Sequence, residues 1–272
     1  MTLGYLLVLS IVQGLTEFLP VSSSAHLVLA PLVMDAQDQG LLIDVALHVG
    51  TLLAVLAYYW RDVWQMVVAV ICWRAGPMRN LALYIVLATV PALVFGLLIK
   101  GVFPEGIRSV AVITATTLFF GILMGVADRF FPQEKQIGDI TLKRALLIGC
   151  AQALALIPGT SRSGVTMTAA RFMGFSRVDA ARFSFLLGAP AIAAAGCMSF
   201  LEILKADDPG LWHDSLIAVL FAFVAGFGAI HFMMKWLTKF GLMPFVAYRM
   251  VLGAGLLYCL FLHPEIFTAS TP

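Results

Sequence analysis

The sequence predicts an all-α polytopic membrane protein with six transmembrane helices and two re-entrant broken helix hairpins, arranged as an inverted-topology repeat. Three observations predict it. The 272 residues are 61% hydrophobic and only 12% charged, with a mean hydropathy of +0.97; soluble domains carry about 25% charged residues. Apolar runs of bilayer-spanning length recur along the chain. Two of these runs are interrupted at their centres by proline, hydroxyl and ionisable residues. Such interruptions mark backbone that leaves the helix inside the membrane and lines a wet cavity.

The first broken run covers 3–34, and its middle reads QGLTEFLPVSSSAH at 13–26. Glu17, Pro20, three consecutive serines and His26 fall where a simple anchor would be apolar. An intramembrane charge costs roughly 2.5–3.5 kcal/mol and an interior proline about 3 kcal/mol, so the cluster serves something other than anchoring. Full spans follow at 41–60, 81–99 and 109–127. The second broken run, 146–175, is interrupted by IPGTSRSG at 157–164. Spans at 183–204, 215–234 and 244–262 complete the map, each close to the roughly 20 residues a crossing helix needs. The stretch 63–73 is apolar but too short to cross. MTLGYLLVLSIV at the N-terminus has no Lys or Arg ahead of it, which predicts no cleaved signal peptide. Cys72, Cys150, Cys197 and Cys259 lie far apart without metal-binding spacing and read as small core residues.

Loop charge orients the map, while the net charge of +2 says little. Lys and Arg concentrate in 61–80, 128–145 and 235–243, which the positive-inside rule places in the cytoplasm. Asp35 and Asp38, and Asp207, Asp208 and Asp214, mark outer links; the 100–108 link, with Lys100 and Arg108, is mixed. Both termini then lie outside. One membrane domain, 1–272, holds two repeats at approximately 1–127 and 142–262. QGLTEFLP at 13–20 is similar to QALALIP at 152–158, and hydroxyl runs follow both prolines. Inverted repeats with paired broken helices place a site near the midplane.

The second break pairs the permanent cation of Arg162 with Thr160, Ser161 and Ser163, between Gly159 and Gly164. Hydroxyls, freed N–H groups and a planar guanidinium suit phosphate oxygens. The bland alternative is a helix–helix turn with a snorkelling arginine. In the first break Ser23 and His26 are three residues apart, so they share a helix face and can act as nucleophile and base. Glu17, with Gln13 one turn earlier, can hold a divalent metal, act as a base or orient His26. The bland alternative there is a polar packing network. Asp44 and His48 line the same cavity or form an interfacial pair. His231 and Arg249 fall near predicted cytoplasmic ends, where snorkelling explains them. Trp60, Trp64, Trp73 and Trp236 fit an interfacial belt, and Gly188 and Pro190 suggest close helix packing.

The motifs QGLTEFLPVSSSAH and LIPGTSRSG, supported by FMGFSRVDAARFSFLLGAP at 172–190 and YRMVLGAG at 248–255, resemble the undecaprenyl-diphosphate phosphatase family of bacitracin-resistance type. The resemblance implies an enzyme of the bacterial inner membrane, open to the periplasmic side. It would remove the terminal phosphate of undecaprenyl diphosphate with a divalent cation, Mg2+ or Ca2+. The product carries cell-wall precursors. The resemblance puts the acidic pair at Gln13 and Glu17, where Gln13 is at most a neutral ligand. It puts the active-site serine and histidine at Ser23 and His26 and the phosphate-binding arginine at Arg162, with Ser22, Thr160, Ser161 and Ser163 as secondary phosphate donors. Ser23 attacking with His26 as base, and His26 attacking or activating water, both remain open at this point. Membrane lipid is the expected surrounding, a homodimer is permitted by the small-residue helices, and no nucleic acid is expected. The rival from another class is a lipid-phosphate transporter or flippase, which needs the same architecture without a nucleophile–base pair.

Overall fold

The computed structural model describes residues 2–34, 36–37, 39–102, 109–206 and 209–262. Asp35, Asp38, Asp207, Asp208 and the 103–108 part of the mixed link lie outside the described residues. Every named element is helical: α1 (Leu3–Phe18), α2 (Ser23–Val33), α3 (Gly40–Tyr58), α4 (Trp60–Ile71), α5 (Pro77–Val102), α6 (Val110–Phe130), α7 (Leu142–Ala153), α8 (Arg162–Phe172), α9 (Arg177–Ala206), α10 (Pro209–Leu237) and α11 (Met243–Leu262). By length and composition, four helices of the described residues can cross a bilayer: Pro77–Ile99, Val110–Phe130, Gly210–Leu237 and Met243–Leu262. The expected 41–60 span is α3, which meets α4 at an 81° bend. The expected 183–204 span falls within α9. The apolar 63–73 stretch belongs to α4, an amphipathic helix whose Trp60 and Trp64 are exposed, as is Trp73 just beyond it.

Both broken runs are broken where expected, and for the same reason. A residue preceding proline is driven out of the helical region. Leu19, before Pro20, is extended (φ −69°, ψ 138°), and so is Ile157 before Pro158 (φ −84°, ψ 118°). The chain then restarts a helix through a serine N-cap in each case. Ser22 (φ 77°) and Ser161 (φ 70°) both take left-handed backbone, uncommon outside glycine. Each caps its helix through Oγ: Ser22 accepts from the N–H of Ala25 and Ser161 from that of Gly164. Two turns 139 positions apart in the sequence thus share one left-handed serine geometry. At 11 residues each, α2 and α8 span only about 16 Å, roughly half a hydrocarbon core of about 30 Å.

The halves pack crosswise. Helix α1 lies against α10, and its counterpart α7 lies against α5. Helix α3 packs on α10, α9 packs on α5, and α6 pairs with α11. Glycine permits the closest approaches: a Cβ on Gly14 would lie 2.5 Å from Ala225 Cβ, and one on Gly149 would lie 2.1 Å from the Ala88 carbonyl oxygen. Dispersion contacts between small residues hold such helices together in lipid. Large apolar side chains exposed along α5 (Val86, Leu97, Leu98) and α10 (Leu216, Leu220, Val224) form the face turned to the acyl chains.

Two sequence expectations are corrected here. Cys72, Cys150 and Cys197 are exposed rather than in the core; a thiol is as welcome on a lipid-facing surface as in the interior. Arg249 is not a snorkelling residue: it is 1% exposed and lies among the largest fully buried side chains. Toward the predicted cytoplasmic end, Asp128 receives a two-pronged bond from Arg177 (2.6 and 3.1 Å) and one from the N–H of Leu242. Arg182 grips Asp62 in the same way, tying α9 to α4.

Candidate active site

The tips of the two broken pairs meet, and Glu17 joins them. It sits near the end of α1, 5% exposed, and its two carboxylate oxygens face different halves of the molecule. Oε1 accepts from Arg162 Nη2 (2.9 Å) and Nε (3.3 Å), which start α8. Oε2 accepts from the hydroxyl of Ser23 (2.7 Å) and from the amide nitrogen of Gln13 (3.0 Å). His48, on α3, lies 3.6 Å from Oε2. His48 is therefore a cavity residue, while Asp44 turns to Gln39, whose amide nitrogen reaches its Oδ1 at 2.6 Å.

Arg162 is held in place by a gap in α9. Its Nη1 donates to the Ser184 carbonyl (3.2 Å), and a Cβ on Gly188 would fall 1.5 Å from that nitrogen. Gly188, expected to serve helix packing, makes the seat of the guanidinium by its missing side chain. Gly188→Ala is therefore expected to dislodge Arg162 and cut turnover at least about tenfold, because a misplacement of about 1 Å in a positioned group can cost 10²-fold. Steady-state rates beside an unchanged helical circular-dichroism spectrum check this; wild-type rates would refute it.

A second fastener lies beneath the tips. Arg249, on α11, donates to the carbonyls of Pro20 (3.3 Å) and Thr160 (3.1 Å) through Nη1 and of Gly159 (2.9 Å) through Nη2. Its Nη2 and Nε also reach Thr116 and Thr117 of α6. One side chain thus binds both turns. Ser163 adds a direct link by donating to the Leu19 carbonyl (3.3 Å). Among the described residues no carboxylate pairs with Arg249, so its charge is balanced by carbonyl dipoles alone.

The other expected phosphate donors divide by role. Ser22 and Ser161 are N-caps whose oxygens accept, and each hydroxyl also lies 3.3 Å from a neighbouring one, Ser24 and Ser163 respectively. Thr160 Oγ1 is buried without a hydrogen-bond partner. The pairing expected between Ser23 and His26 is not formed: Ser23 donates to Glu17. His26 is engaged elsewhere, its Nδ1 2.7 Å from the Ser22 carbonyl and its Nε2 2.6 Å from the Tyr248 hydroxyl. The cause is the turn itself. As the N-cap, Ser22 points its carbonyl along α2 toward the imidazole, and α11 supplies a phenol to the ring's other side.

Gln13 and Glu17 are the oxygen donors expected for a divalent cation. Gln13 is fully buried, and its amide orientation is fixed because only nitrogen can donate to Glu17. Its Oε1 is left buried and unpartnered, an open oxygen donor beside the one carboxylate. Among the described residues no group of three or more His, Cys, Asp or Glu side chains could hold a metal ion.

The arrangement thus offers an anionic oxygen poised to take a serine proton, an arginine fork, and donors converging from two turns. Residues 6–255 match the family model described as Bacitracin resistance protein BacA. The chain is 49% identical over 265 residues to an undecaprenyl-diphosphatase of Hahella chejuensis, covering 96% of this chain and 99% of that one. It is 44% identical to one of Alteromonas mediterranea, covering 96% and 100%, and 48% identical to one of Colwellia psychrerythraea, covering 93% and 97%. This chain, a multi-pass membrane protein, belongs to the bacitracin resistance protein BacA family.

Proposed function

We propose that the protein hydrolyses undecaprenyl diphosphate to undecaprenyl phosphate and inorganic phosphate, recycling the lipid carrier of cell-wall synthesis and conferring bacitracin resistance. The single observation that carries this reading is the triad Ser23–Glu17–Arg162: a hydroxyl with its proton acceptor, set against a phosphate-binding fork. A transporter has no use for the first half of that triad, and the relatives are named for hydrolysis.

Without substrate, Arg162 is neutralised by Glu17. An incoming diphosphate offers Arg162 a better-matched anion. As the guanidinium turns to the phosphate oxygens, Glu17 Oε1 is released while Oε2 keeps the hydroxyl of Ser23 as it meets phosphorus. Ser23 Oγ then bonds to the terminal phosphorus, its proton passes to Glu17, and the bridging P–O bond breaks to release the lipid monophosphate. Water cleaves the phosphoserine in a second step. His26 presents Nε2 as the lone-pair nitrogen for that water's proton, because the Ser22 carbonyl holds the hydrogen on Nδ1. Arg162, Thr160 and the first N–H groups of α8 stabilise the charge that spreads over the transferring group.

A divalent cation would be held by Glu17 and Gln13 Oε1, with diphosphate oxygens completing its shell. One carboxylate plus substrate phosphates is the pattern of magnesium rather than of a calcium cage. Bound there, the ion supplies charge neutralisation on the phosphate oxygens. The site would open to the periplasmic side of the inner membrane, with the prenyl chain remaining in lipid.

The test is phosphate release from a prenyl diphosphate by purified protein in detergent, with and without chelator. Release abolished by chelator and restored by magnesium is expected. Intact diphosphate moved across proteoliposomes without hydrolysis would overturn the reading in favour of transport.

A further inference from the structure

We propose that Tyr248 is a positioning residue for the reaction, acting through His26. The inference rests on the hydrolase reading above and deepens it. Two contacts on the ring of His26 leave its direction and tautomer no freedom. The Ser22 carbonyl, 2.7 Å from Nδ1, can only accept, so Nδ1 carries the hydrogen. Nε2 of the neutral ring is then the lone-pair nitrogen, and the Tyr248 O–H, 2.6 Å away, donates to it. The two rings are also nearly parallel, 14° apart with centroids at 5.8 Å, so the phenol backs the imidazole as well as bonding its tip.

The partner comes from far away in the sequence. His26 lies in the first turn of α2, and Tyr248 lies on α11, 222 residues later. The neighbouring residue on α11 is Arg249, which ties down the turn carrying Ser22 through the Pro20 carbonyl. Two consecutive side chains of α11 therefore fix the first tip: Arg249 holds its backbone, and Tyr248 holds the imidazole that projects from it. Without the phenol the ring would keep one tether and could swing about Cβ–Cγ. Its Nε2 would then spend most of its time away from the reacting water. The hydroxyl gives a second service: it holds the Nε2 lone pair in reserve until a substrate-bound water displaces it, and it can take that proton's place when the ring empties.

Tyr248 is 44% exposed, so removing one oxygen leaves no buried vacancy. Tyr248→Phe keeps the stacked ring and loses only the hydrogen bond. It is expected to lower kcat by about tenfold to a hundredfold, at or below the contribution of a proton-transfer group itself. KM should stay within about twofold and melting temperature within about 2 °C, since neither phosphate binding nor packing uses the hydroxyl. Histidine-15N NMR of the detergent-solubilised protein gives a readout free of turnover. The His26 Nε2 resonance, identified by its loss in His26→Gln, should shift in Tyr248→Phe. Wild-type kcat in Tyr248→Phe, or an unmoved Nε2 resonance, overturns the proposal. A wild-type protein that releases no phosphate at all would sink the hydrolase reading instead, and the NMR arm separates that failure from this one.

Discussion

Replacing Arg162 by alanine is expected to lower phosphate release by about three orders of magnitude, the scale on which an arginine stabilises a transferring phosphoryl group. The same change removes the cation from Glu17, which is 4% exposed in its side chain. Breaking a buried pair from one side costs about 3–5 kcal/mol, because the remaining charge has no partner. Activity and stability should therefore fall together, and the second fall could be mistaken for the cause of the first. The double variant Glu17→Gln/Arg162→Ala isolates the stability cost, since it also removes the base. With no orphaned charge, its melting temperature should return toward the wild-type value, while its turnover stays at the floor. Arg162→Lys should sit between: it keeps the charge, but a single ammonium cannot serve Glu17 Oε1 and the Ser184 carbonyl as the fork does. Near wild-type turnover in Arg162→Ala, with only its melting temperature lowered, would show that Arg162 is a structural partner of Glu17 and no phosphate ligand.

The second large effect is expected at Arg249, which touches no reacting group. Arg249→Met is close in length, so cavity formation is a minor cost. Two effects then oppose each other. Five carbonyls lose a charged donor, each such bond being worth about 1.5–3 kcal/mol. Against that, the desolvation of an unpaired buried cation disappears, and apolar replacements of buried charges are often neutral. Global stability should change by only a few kcal/mol, small against the sum of the lost bonds. Geometry has no such compensation. The carbonyls of Pro20, Gly159 and Thr160 repel one another once the guanidinium between them is gone, so the tips should part. Glu17 and Arg162 sit on opposite tips, and a shift of about 1 Å is enough to cost about 10²-fold in rate. Loss of at least that factor, with the helix content kept, is the expected result. It is read by steady-state kinetics and by faster amide hydrogen exchange over 19–23 and 158–163. Normal turnover in Arg249→Met would mean that the tips hold their register without it, through the Glu17–Arg162 pair and the Ser163–Leu19 bond.

Much of this molecule is legible in the order of its residues. Apolar runs of membrane length fix an all-helical chain, because backbone in lipid must satisfy its own hydrogen bonds. Pro20 and Pro158 fix where two runs break, because the residue before proline cannot stay helical. Clustering of Gln13, Glu17, Ser23 and Arg162 around those breaks marks the candidate site, because a simple anchor would not carry such groups in its middle. All of these are local rules, acting over a turn or two of chain. What only the tertiary structure decides is which group faces which across the two halves. Ser23 and His26 share a helix face by spacing, yet the serine turns to Glu17 and the histidine to Tyr248. Gly188 is one small residue among many until Arg162 fills the space above it. Arg249, five residues inside an apolar helix, has the sequence look of a side chain reaching for water. It reaches instead for two turns 229 and 89 positions away. Sequence periodicity records the faces of a helix and the places where it must stop; the packing of distant helices chooses the partner of each face, and in this protein those partners set the geometry of the site.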